Sequence, residues 1–353
     1  MIKAGIAGLG RWGQTLVNSV HGKSDKITFT AGCTGRKARA QNYCAEKGID
    51  LRDGLADLLN DPELDAVVLA TPHSQHADQV IAAAAAGKQI FIEKPFTLDR
   101  ASAQAAADAA AAAGVVLALG HNRRFHPITM KIKEMIEGGE LGQILHIEGN
   151  LSGSGGLRYP PESWRAQADE SPAGGMTPMG IHVVDAFLYL MGSVDEVVAR
   201  SDRQFLQIPT DDTTSVMMRF ASGATGYLGT LTATAPIWRI QVFGTGGWAE
   251  MHSYDRMFVC KVAADGTPGK EEMIEYGPFD MERAELEAFA DACTGGPASD
   301  ARTASATRGS PFRRRSSAAS VLPLATCRAA VHRAAGKPMP RRVSIWWRRR
   351  ASP

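Results

Sequence analysis

The sequence lacks three features that would assign it to particular classes of protein. It contains no run of about 18 apolar residues, so no membrane-spanning helix is predicted. Its opening, MIKAGIAGLG, has no basic segment followed by an apolar one, and no signal peptide is predicted. The five cysteines form no CxxC pair, which argues against structural zinc and favours reduced thiols. These absences predict a soluble, cytoplasmic protein with no bound metal and no membrane partner.

Acidic residues are missing from the end of the chain. Residues 301–353 contain twelve Arg, one Lys and no Asp or Glu, whereas residues 1–300 carry 26 basic and 37 acidic side chains. The body of the protein is therefore acidic, which makes nucleic acid an unexpected partner because its binding depends on cations that neutralise phosphates. Residues 299–353 are predicted to form an atypical basic tail, and either an altered coding frame or a disordered basic arm would explain its composition.

The first part of the chain alternates between strand-like and helix-like segments. Its 353 residues and 44% hydrophobic content allow two domains. Short apolar segments occur at 2–8, 27–33, 65–71, 89–94 and 115–120, and helical patterns lie between them. This alternation predicts an α/β domain with a doubly wound parallel sheet of the Rossmann type.

A glycine-rich turn follows the first predicted strand. Gly8, Gly10 and Gly13 match G-x-G-x-x-G, with a strand before them and a helix after them. Gly8 would allow the tight turn, Gly10 the approach of a pyrophosphate, and Gly13 close packing of helix on strand. The predicted cofactor-binding loop comprises Gly8, Leu9, Gly10, Arg11, Trp12 and Gly13. The alternative is a strand-to-helix turn without a ligand.

The segment after the second predicted strand indicates which dinucleotide would bind. NAD-binding folds usually place Asp or Glu there for the ribose 2′-hydroxyl, but the sequence is CTGRKAR. Thr34 and Gly35 would form the turn, and Arg36, Lys37 and Arg39 would offer cations to a 2′-phosphate. NADP is therefore favoured over NAD, although a solvated first helical turn would have the same composition.

Six motifs together resemble the Gfo/Idh/MocA family of sugar and polyol oxidoreductases. They are GLGRWG at 8–13, ATPHSQH at 70–76, EKP at 93–95, RRFHP at 123–127, SWR at 163–165 and GIHVVD at 180–185. The resemblance runs from about residue 1 to residue 295. It implies an N-terminal Rossmann domain and a C-terminal α/β domain with a large open, mainly antiparallel sheet, which carries the substrate pocket on one side and often a subunit interface on the other. The expected division is 1–121, 122–298 and the tail 299–353.

The resemblance also implies roles for individual residues. Lys94 would lie beside the nicotinamide, next to Glu93, and touch the reacting hydroxyl; a surface lysine at the strand end is the alternative. Contacts with the cofactor are implied for Thr71, Pro72, His73, His76, Glu93, Lys94, Asn122, Trp164 and Arg165. His76 could equally be an ordinary packed or capping histidine. The implied substrate contacts are Lys94, Arg123, Thr177, His182 and Asp185.

The segment GGMTPMGIHVVD, residues 174–185, departs from the family pattern. Most members carry Asp four residues before the histidine, where this chain has Pro178. Thr177 is predicted to be a helix N-cap and Pro178 the first helical residue. His182 is then the candidate general acid or base, with Lys94 as its partner. Asp185 could orient the imidazole or lie on the helix surface, and no further ligand for a metal is evident.

These features predict an NAD(P)-dependent dehydrogenase of the EC 1.1.1 type. Hydride would pass between the nicotinamide and a carbinol or carbonyl carbon of a sugar, polyol or related hydroxy compound. A homodimer or homotetramer is expected, because one face of the second sheet would need a cover. The alternative is an NADP-binding sensor without turnover, which the loss of the Asp would favour.

Overall fold

The computed structural model describes residues 1–295 and the backbone of residues 343–348. Within these residues, one unit comprises 1–125 with 280–295, and the other comprises 126–279 with 343–348. The division expected from the sequence differs, because residues 122–125 and the helix Met281–Cys293 belong to the first unit. The predicted tail, 299–353, lies outside the described residues except for its strand at 343–348.

The first unit contains a six-stranded parallel sheet, which confirms the Rossmann prediction. The strand order is β3-β2-β1-β4-β5-β6, the arrangement that binds dinucleotides in folds of this type. Its strands are β1 (Ile2–Ala7), β2 (Ile27–Cys33), β3 (Asp50–Leu51), β4 (Ala66–Leu69), β5 (Gln89–Glu93) and β6 (Leu117–Gly120). The intervening helices are α1 (Arg11–Val20), α2 (Lys37–Lys47), α3 (Leu55–Asn60), α4 (His76–Ala85) and α5 (Arg100–Ala113). The short elements β3 and α3 were not predicted.

The alanine-rich helices α4 and α5 lie side by side on this unit. Ala83, Ala103, Ala106 and Ala110 are buried, because their small side chains let the helix backbones approach closely. The side chain of Asp99 caps α5 by accepting a hydrogen bond from the backbone N–H of Ser102 at 2.9 Å. The alanine runs are thus packing surfaces rather than linkers.

One helix of the first unit comes from far along the chain. After α6 (Pro127–Glu137) and α7 (Gly180–Met191) of the second unit, α8 (Met281–Cys293) packs on the first sheet. Leu286 and Phe289 join the core that contains Leu16 and Phe91. The rings of Phe91 and Phe289 meet edge to face, with their centroids 5.7 Å apart.

The second unit contains an open sheet that is antiparallel except for one strand pair, as predicted. The order is β14-β13-β12-β11-β7-β10-β9-β8-β15, and among the strand pairs in the described part of the chain only β7 and β10 run parallel. The strands are β7 (Ile144–Ser152), β8 (Val194–Asp202), β9 (Thr213–Phe220), β10 (Thr225–Leu231), β11 (Ile237–Gly244), β12 (Gly247–His252), β13 (Arg256–Lys261), β14 (Glu272–Glu275) and the edge strand β15 (Val343–Arg348).

Alternate residues of this sheet face its core. On β9, for example, Val216, Met218 and Phe220 are buried while Met217 is exposed. Helix α7 covers the inner face, where Val183 and Phe187 pack so closely on β7 that an added Cβ at Gly149 would collide with Val183. Within residues 1–295, no helix combines the length and the apolar character needed to cross a membrane.

Candidate active site

The glycine-rich loop has the geometry of a dinucleotide cradle. Gly8 adopts a φ of +103°, and a Cβ there would collide with the carbonyl oxygen of Ala70. At Gly13 a Cβ would collide with the carbonyl oxygen of Gly8, whereas at Gly10 it would meet nothing within 4 Å. Gly10 is the N-cap of α1 and has no side chain to occupy the helix N-terminus. The loop therefore leaves open space where a pyrophosphate would contact backbone N–H groups, and these residues fit a dinucleotide.

The other loop residues have different exposures. Leu9 is buried in the core of the first unit, and Trp12 is half-buried against that core. Arg11 is exposed at the first position of α1. Leu9 and Trp12 thus hold the loop in place, while Arg11 can reach a ligand.

The basic segment after β2 lies at the start of α2. Thr34 is half-buried, and Gly35, Arg36 and Arg39 are exposed. The ammonium of Lys37 donates to the carboxylate of Asp53, an acidic residue beyond β3 that the sequence analysis did not single out. Because β3 is only two residues long, periodicity gave no sign that Asp53 would reach the end of β2.

His76 joins two segments predicted to border the nicotinamide. It is completely buried, with Nδ1 2.8 Å from the carbonyl oxygen of Pro95 and Nε2 3.1 Å from that of Thr71. The hydroxyl of Thr71 donates to Gln79 at 2.6 Å. Pro72 and His73 are half-buried at the start of the 3₁₀ turn His73–Gln75. His76 thus holds the turn after β4 against the EKP segment.

Lys94 and Glu93 stand at the carboxyl end of β5. Lys94 is half-buried at that end, where parallel sheets bind their ligands. Glu93 is 5% exposed and accepts a hydrogen bond from the backbone N–H of Lys94 at 3.2 Å. Burial raises the pKa of Glu93, although the charge of Lys94 and the indole of Trp12 oppose the shift. Gly120 on β6 makes room for it, since a Cβ there would lie 2.9 Å from Glu93 Oε1.

The residues after β6 are tied to the start of α8. Asn122 is buried and its amide donates to Glu282 Oε1 at 2.9 Å. Arg123 donates to the sulfur of Met281 at 3.9 Å. Both contacts lie within the first unit, which is why the 3₁₀ turn Asn122–Phe125 groups with the Rossmann sheet.

The segment 174–185 begins its helix later than predicted. A 3₁₀ turn spans Gly174–Met176, and α7 starts at Gly180 with Met179 as its N-cap. Thr177 is not the cap, because its hydroxyl donates instead to the carbonyl oxygen of Pro172 at 2.7 Å. The prediction of Pro178 as the first helical residue is likewise wrong. A tertiary contact has replaced the local capping pattern.

His182 is the third residue of α7 and Asp185 the sixth. Both are buried, with exposures of 6% and 2%. Their spacing of three residues places them on one side of the helix. Within residues 1–295, no three His, Cys, Asp or Glu side chains are grouped in a way that could hold a metal ion.

The SWR motif forms a short 3₁₀ turn, Trp164–Ala166. The guanidinium of Arg165 lies over the ring of Trp164, 4.1 Å from its centre. The turn packs on a small apolar cluster made of Ala166, Leu206 and Ile208. The presentation of Trp164 and Arg165 therefore depends on the loop that carries Leu206 and Ile208.

That loop, residues 203–212, is anchored by Asp212, which the sequence analysis missed. The 2%-exposed carboxylate accepts backbone N–H bonds from Gln204, Phe205 and Leu206, the last two at 2.7 and 2.9 Å. Burial raises the pKa of Asp212, but these bonds together outweigh it and lower the pKa overall. Asp212 lies ten residues after the end of β8 and directly before β9, and an aspartate at such a position is a weak signal because its partners lie on the same loop.

Comparisons with known proteins identify the class. Residues 2–121 match the model of the oxidoreductase family with an NAD-binding Rossmann fold, and residues 129–250 match the GFO/IDH/MocA C-terminal domain. The chain is 32% identical over 281 residues to scyllo-inositol 2-dehydrogenase (NAD(+)) of Bacillus subtilis (strain 168), covering 75% of this chain and 78% of that protein. This protein is thus an NAD-binding oxidoreductase by class, and it belongs to the Gfo/Idh/MocA family.

Two further proteins show the range of similarity. D-xylose 1-dehydrogenase (NADP(+)) 2 of Haloferax volcanii is 31% identical over 260 residues, covering 72% of this chain and 78% of that protein. The crystal structure of a putative NADPH-dependent oxidoreductase from Desulfitobacterium hafniense has a TM-score of 0.81 at 21% identity, covering 98% of this chain and 97% of that one. The family therefore includes proteins named for NAD and proteins named for NADP, and the structural match shows the shared fold.

Proposed function

We propose that this chain is a dehydrogenase that transfers hydride between NAD(P) and a carbinol or carbonyl carbon of a sugar, polyol or related hydroxy compound. The observation that carries the proposal is the glycine loop, in which Gly8 and Gly13 have no room for a side chain and Gly10 faces open space. The names of the relatives, which act on an inositol and on xylose, support the substrate class. When bound, the nicotinamide supplies the hydride acceptor or donor.

The cofactor would be held by the elements at the carboxyl end of the first sheet. Backbone N–H groups at Gly10 and the start of α1 would bind the pyrophosphate. Arg36 and Arg39, both exposed beside the end of β2, support NADP as the favoured cofactor. Thr71, Pro72, His73, Trp164 and Arg165 are proposed as further contacts to the cofactor.

Lys94 and His182 are proposed to move the proton of the reacting hydroxyl. Lys94 stands at the carboxyl end of β5, and its neighbour Pro95 is held by the buried ring of His76. His182 lies in the first turn of α7, and histidine is the side chain most often used as a general acid or base. Asp185, three residues further along α7, would orient the imidazole.

Arg123 and Thr177 are proposed as substrate contacts. The hydroxyl proton of Thr177 is committed to the Pro172 carbonyl, so Thr177 would act toward a substrate only as an acceptor. The side chain of Arg123 is half-buried, and its guanidinium offers several hydrogen-bond donors to a polar substrate.

A homodimer or homotetramer is proposed, formed through the outer face of the second sheet. Met217 and Tyr227 on that face are 63% and 42% exposed. Beside them, the guanidinium of Arg239 forms salt bridges with the carboxylates of Glu148 at 2.9 Å and Glu250 at 3.8 Å. These charged side chains lie next to the exposed apolar ones on the same face. A mixed surface of this kind is typical of subunit contacts. The four free cysteines within residues 1–295 support a cytoplasmic location for the assembly.

The decisive experiment measures turnover of the purified chain with NADP⁺ and NAD⁺ against polyols, sugars and hydroxy acids. Lys94→Ala should lower kcat by about 10³-fold, and His182→Ala by about 10²-fold, while both variants still bind NADPH. His252→Ala, which removes a half-exposed histidine on β12, is the matched control and should retain full kcat. If NADPH binds tightly but no substrate reduces the cofactor, the protein is instead a sensor without turnover, the function that Pro178 would favour.

A further inference from the structure

We propose that Asp53 is a specificity-determining residue for the cofactor: it withholds Lys37 from a 2′-phosphate and thereby reduces the preference for NADP over NAD. The inference rests on the proposed function, because it concerns the adenosine side of the same cofactor. It assigns a role to a carboxylate that lies outside every motif discussed above.

The sheet register brings Asp53 to the end of β2. Strands β2 and β3 run parallel, with Ala31 aligned to Asp50 and Gly32 aligned to Leu51. The backbone N–H of Arg52 continues the alignment by donating to the carbonyl oxygen of Gly32 at 2.8 Å. Asp53 follows immediately and therefore stands beside the end of β2, where Rossmann folds place the adenosine ribose. The neighbouring strand thus supplies an acid that β2 itself lacks.

The position of Asp53 is fixed by a second aspartate. Asp57 Oδ2 accepts the backbone N–H of Asp53 at 3.1 Å and that of Gly54 at 3.0 Å. This places the Asp53 carboxylate against the ammonium of Lys37, the first residue of α2. The Asp53 side chain is 92% exposed and that of Lys37 is 41% exposed, so both can meet a ligand from solvent.

Charge decides which cofactor this pair favours. A 2′-phosphate would have to compete with Asp53 for the ammonium of Lys37, whereas the 2′-hydroxyl of NAD can donate a hydrogen bond to a carboxylate. Arg36 and Arg39 remain available to a phosphate in either case. The Lys37–Asp53 pair therefore favours NAD, whereas Arg36 and Arg39 favour NADP. A chain that has both the pair and the two arginines accepts either cofactor.

The test measures dissociation constants of NADPH and NADH for the full-length chain by fluorescence titration, with 2′,5′-ADP and 5′-AMP as probes of the adenosine side alone. Asp53→Asn should tighten NADPH and 2′,5′-ADP about three- to fivefold and leave NADH and 5′-AMP unchanged or weaker, the range expected for an exposed ion pair. Asp50→Asn is the matched control: its carboxylate is paired with Arg52 at 3.0 Å and is also exposed, and its removal should not change the ratio. Unfolding midpoints of both variants should equal that of the unchanged chain.

The route through Lys37 is tested by the double variant. In a Lys37→Ala background, Asp53→Asn should tighten NADPH by less than twofold. Three results would each overturn the inference and leave the proposed function intact. They are an unchanged ratio of the NADPH and NADH dissociation constants in Asp53→Asn, an equal change of that ratio in Asp50→Asn, and an undiminished tightening of NADPH by Asp53→Asn when Lys37 is absent. Failure of the unchanged chain to bind either cofactor would overturn both.

Discussion

The two units place their candidate functional residues by different means. In the first, the sites are backbone positions fixed by a regular sheet, such as the loop at Gly8 and Gly13 and the strand end at Lys94. In the second, Trp164 and Arg165 sit on a short turn that packs on a loop, and the side chain of Asp212 anchors that loop. A site built on regular elements can be predicted from the sequence and tolerates the loss of one contact. A site built on an anchored loop depends on a few individual hydrogen bonds.

The largest expected effect on stability falls on the backbone-built site. Gly13→Ala should lower the free energy of unfolding by about 3 kcal/mol, because its Cβ would collide with the Gly8 carbonyl oxygen. Gly10→Ala is the control, since its Cβ meets nothing within 4 Å, and it should affect only cofactor affinity. Chemical denaturation and NADPH titration measure the two effects. Equal stabilities of the two variants would contradict the cradle geometry.

The next effect tests the anchored loop. Asp212→Asn should cost about 2 kcal/mol at neutral pH, because its amide cannot accept all the N–H bonds that the carboxylate accepts. The folded-state pKa is lowered, so this stability is present above the ordinary aspartate range and is lost as the pH falls through the folded-state pKa. The free energies of unfolding of Asp212→Asn and of the unchanged chain, measured by denaturation, should therefore become equal at acidic pH.

Asp211→Asn provides the control for that comparison, because it changes the adjacent carboxylate and leaves the hydrogen bonds of Asp212 in place. It should leave the stability within about 0.5 kcal/mol of the unchanged chain at all pH values. If Asp211→Asn and Asp212→Asn were equally destabilised, the loss would reflect local charge rather than the anchor.

A smaller effect should follow from Thr177. Replacement by Val removes the hydrogen bond to Pro172 and should cost about 1 kcal/mol, while Thr177→Ser should be close to the unchanged chain. Thermal unfolding of the three proteins measures the difference. If Thr177 capped α7 after all, Thr177→Asp would be tolerated, because Asp is an equally good N-cap.

The smallest effect belongs to Glu93. Its folded-state pKa is raised by burial, so its contribution favours folding below the ordinary glutamate pKa and is lost as the pH rises through the folded-state value. Glu93→Gln should therefore be as stable as the unchanged chain, or slightly more stable, at pH 8. Glu63→Gln, at a 76%-exposed position, is the control. Its difference in stability from the unchanged chain should be nearly the same at every pH. A large loss in Glu93→Gln would mean that Glu93 is ionised and paired.

The sequence predicted those parts of the site that depend on local periodicity. The strands ending before Gly8, Thr34 and Lys94 were located within a few residues, because each is a short apolar run between helices. The start of α7 was misplaced, because Thr177 is drawn into a contact that no local pattern encodes. Asp53 and Asp212 were missed for the same reason, since their partners are set by sheet register and loop closure.

The long return of the chain to α8 has a consequence for synthesis on the ribosome. The first sheet is complete once residue 120 has been made, yet the core around Phe91 lacks Leu286 and Phe289 until residues 126–279 of the second unit have also been translated. Asn122 likewise waits for Glu282, a partner 160 residues later. Until then the nascent first unit carries an uncovered apolar surface, so its folding cannot finish one domain at a time in the order of the chain.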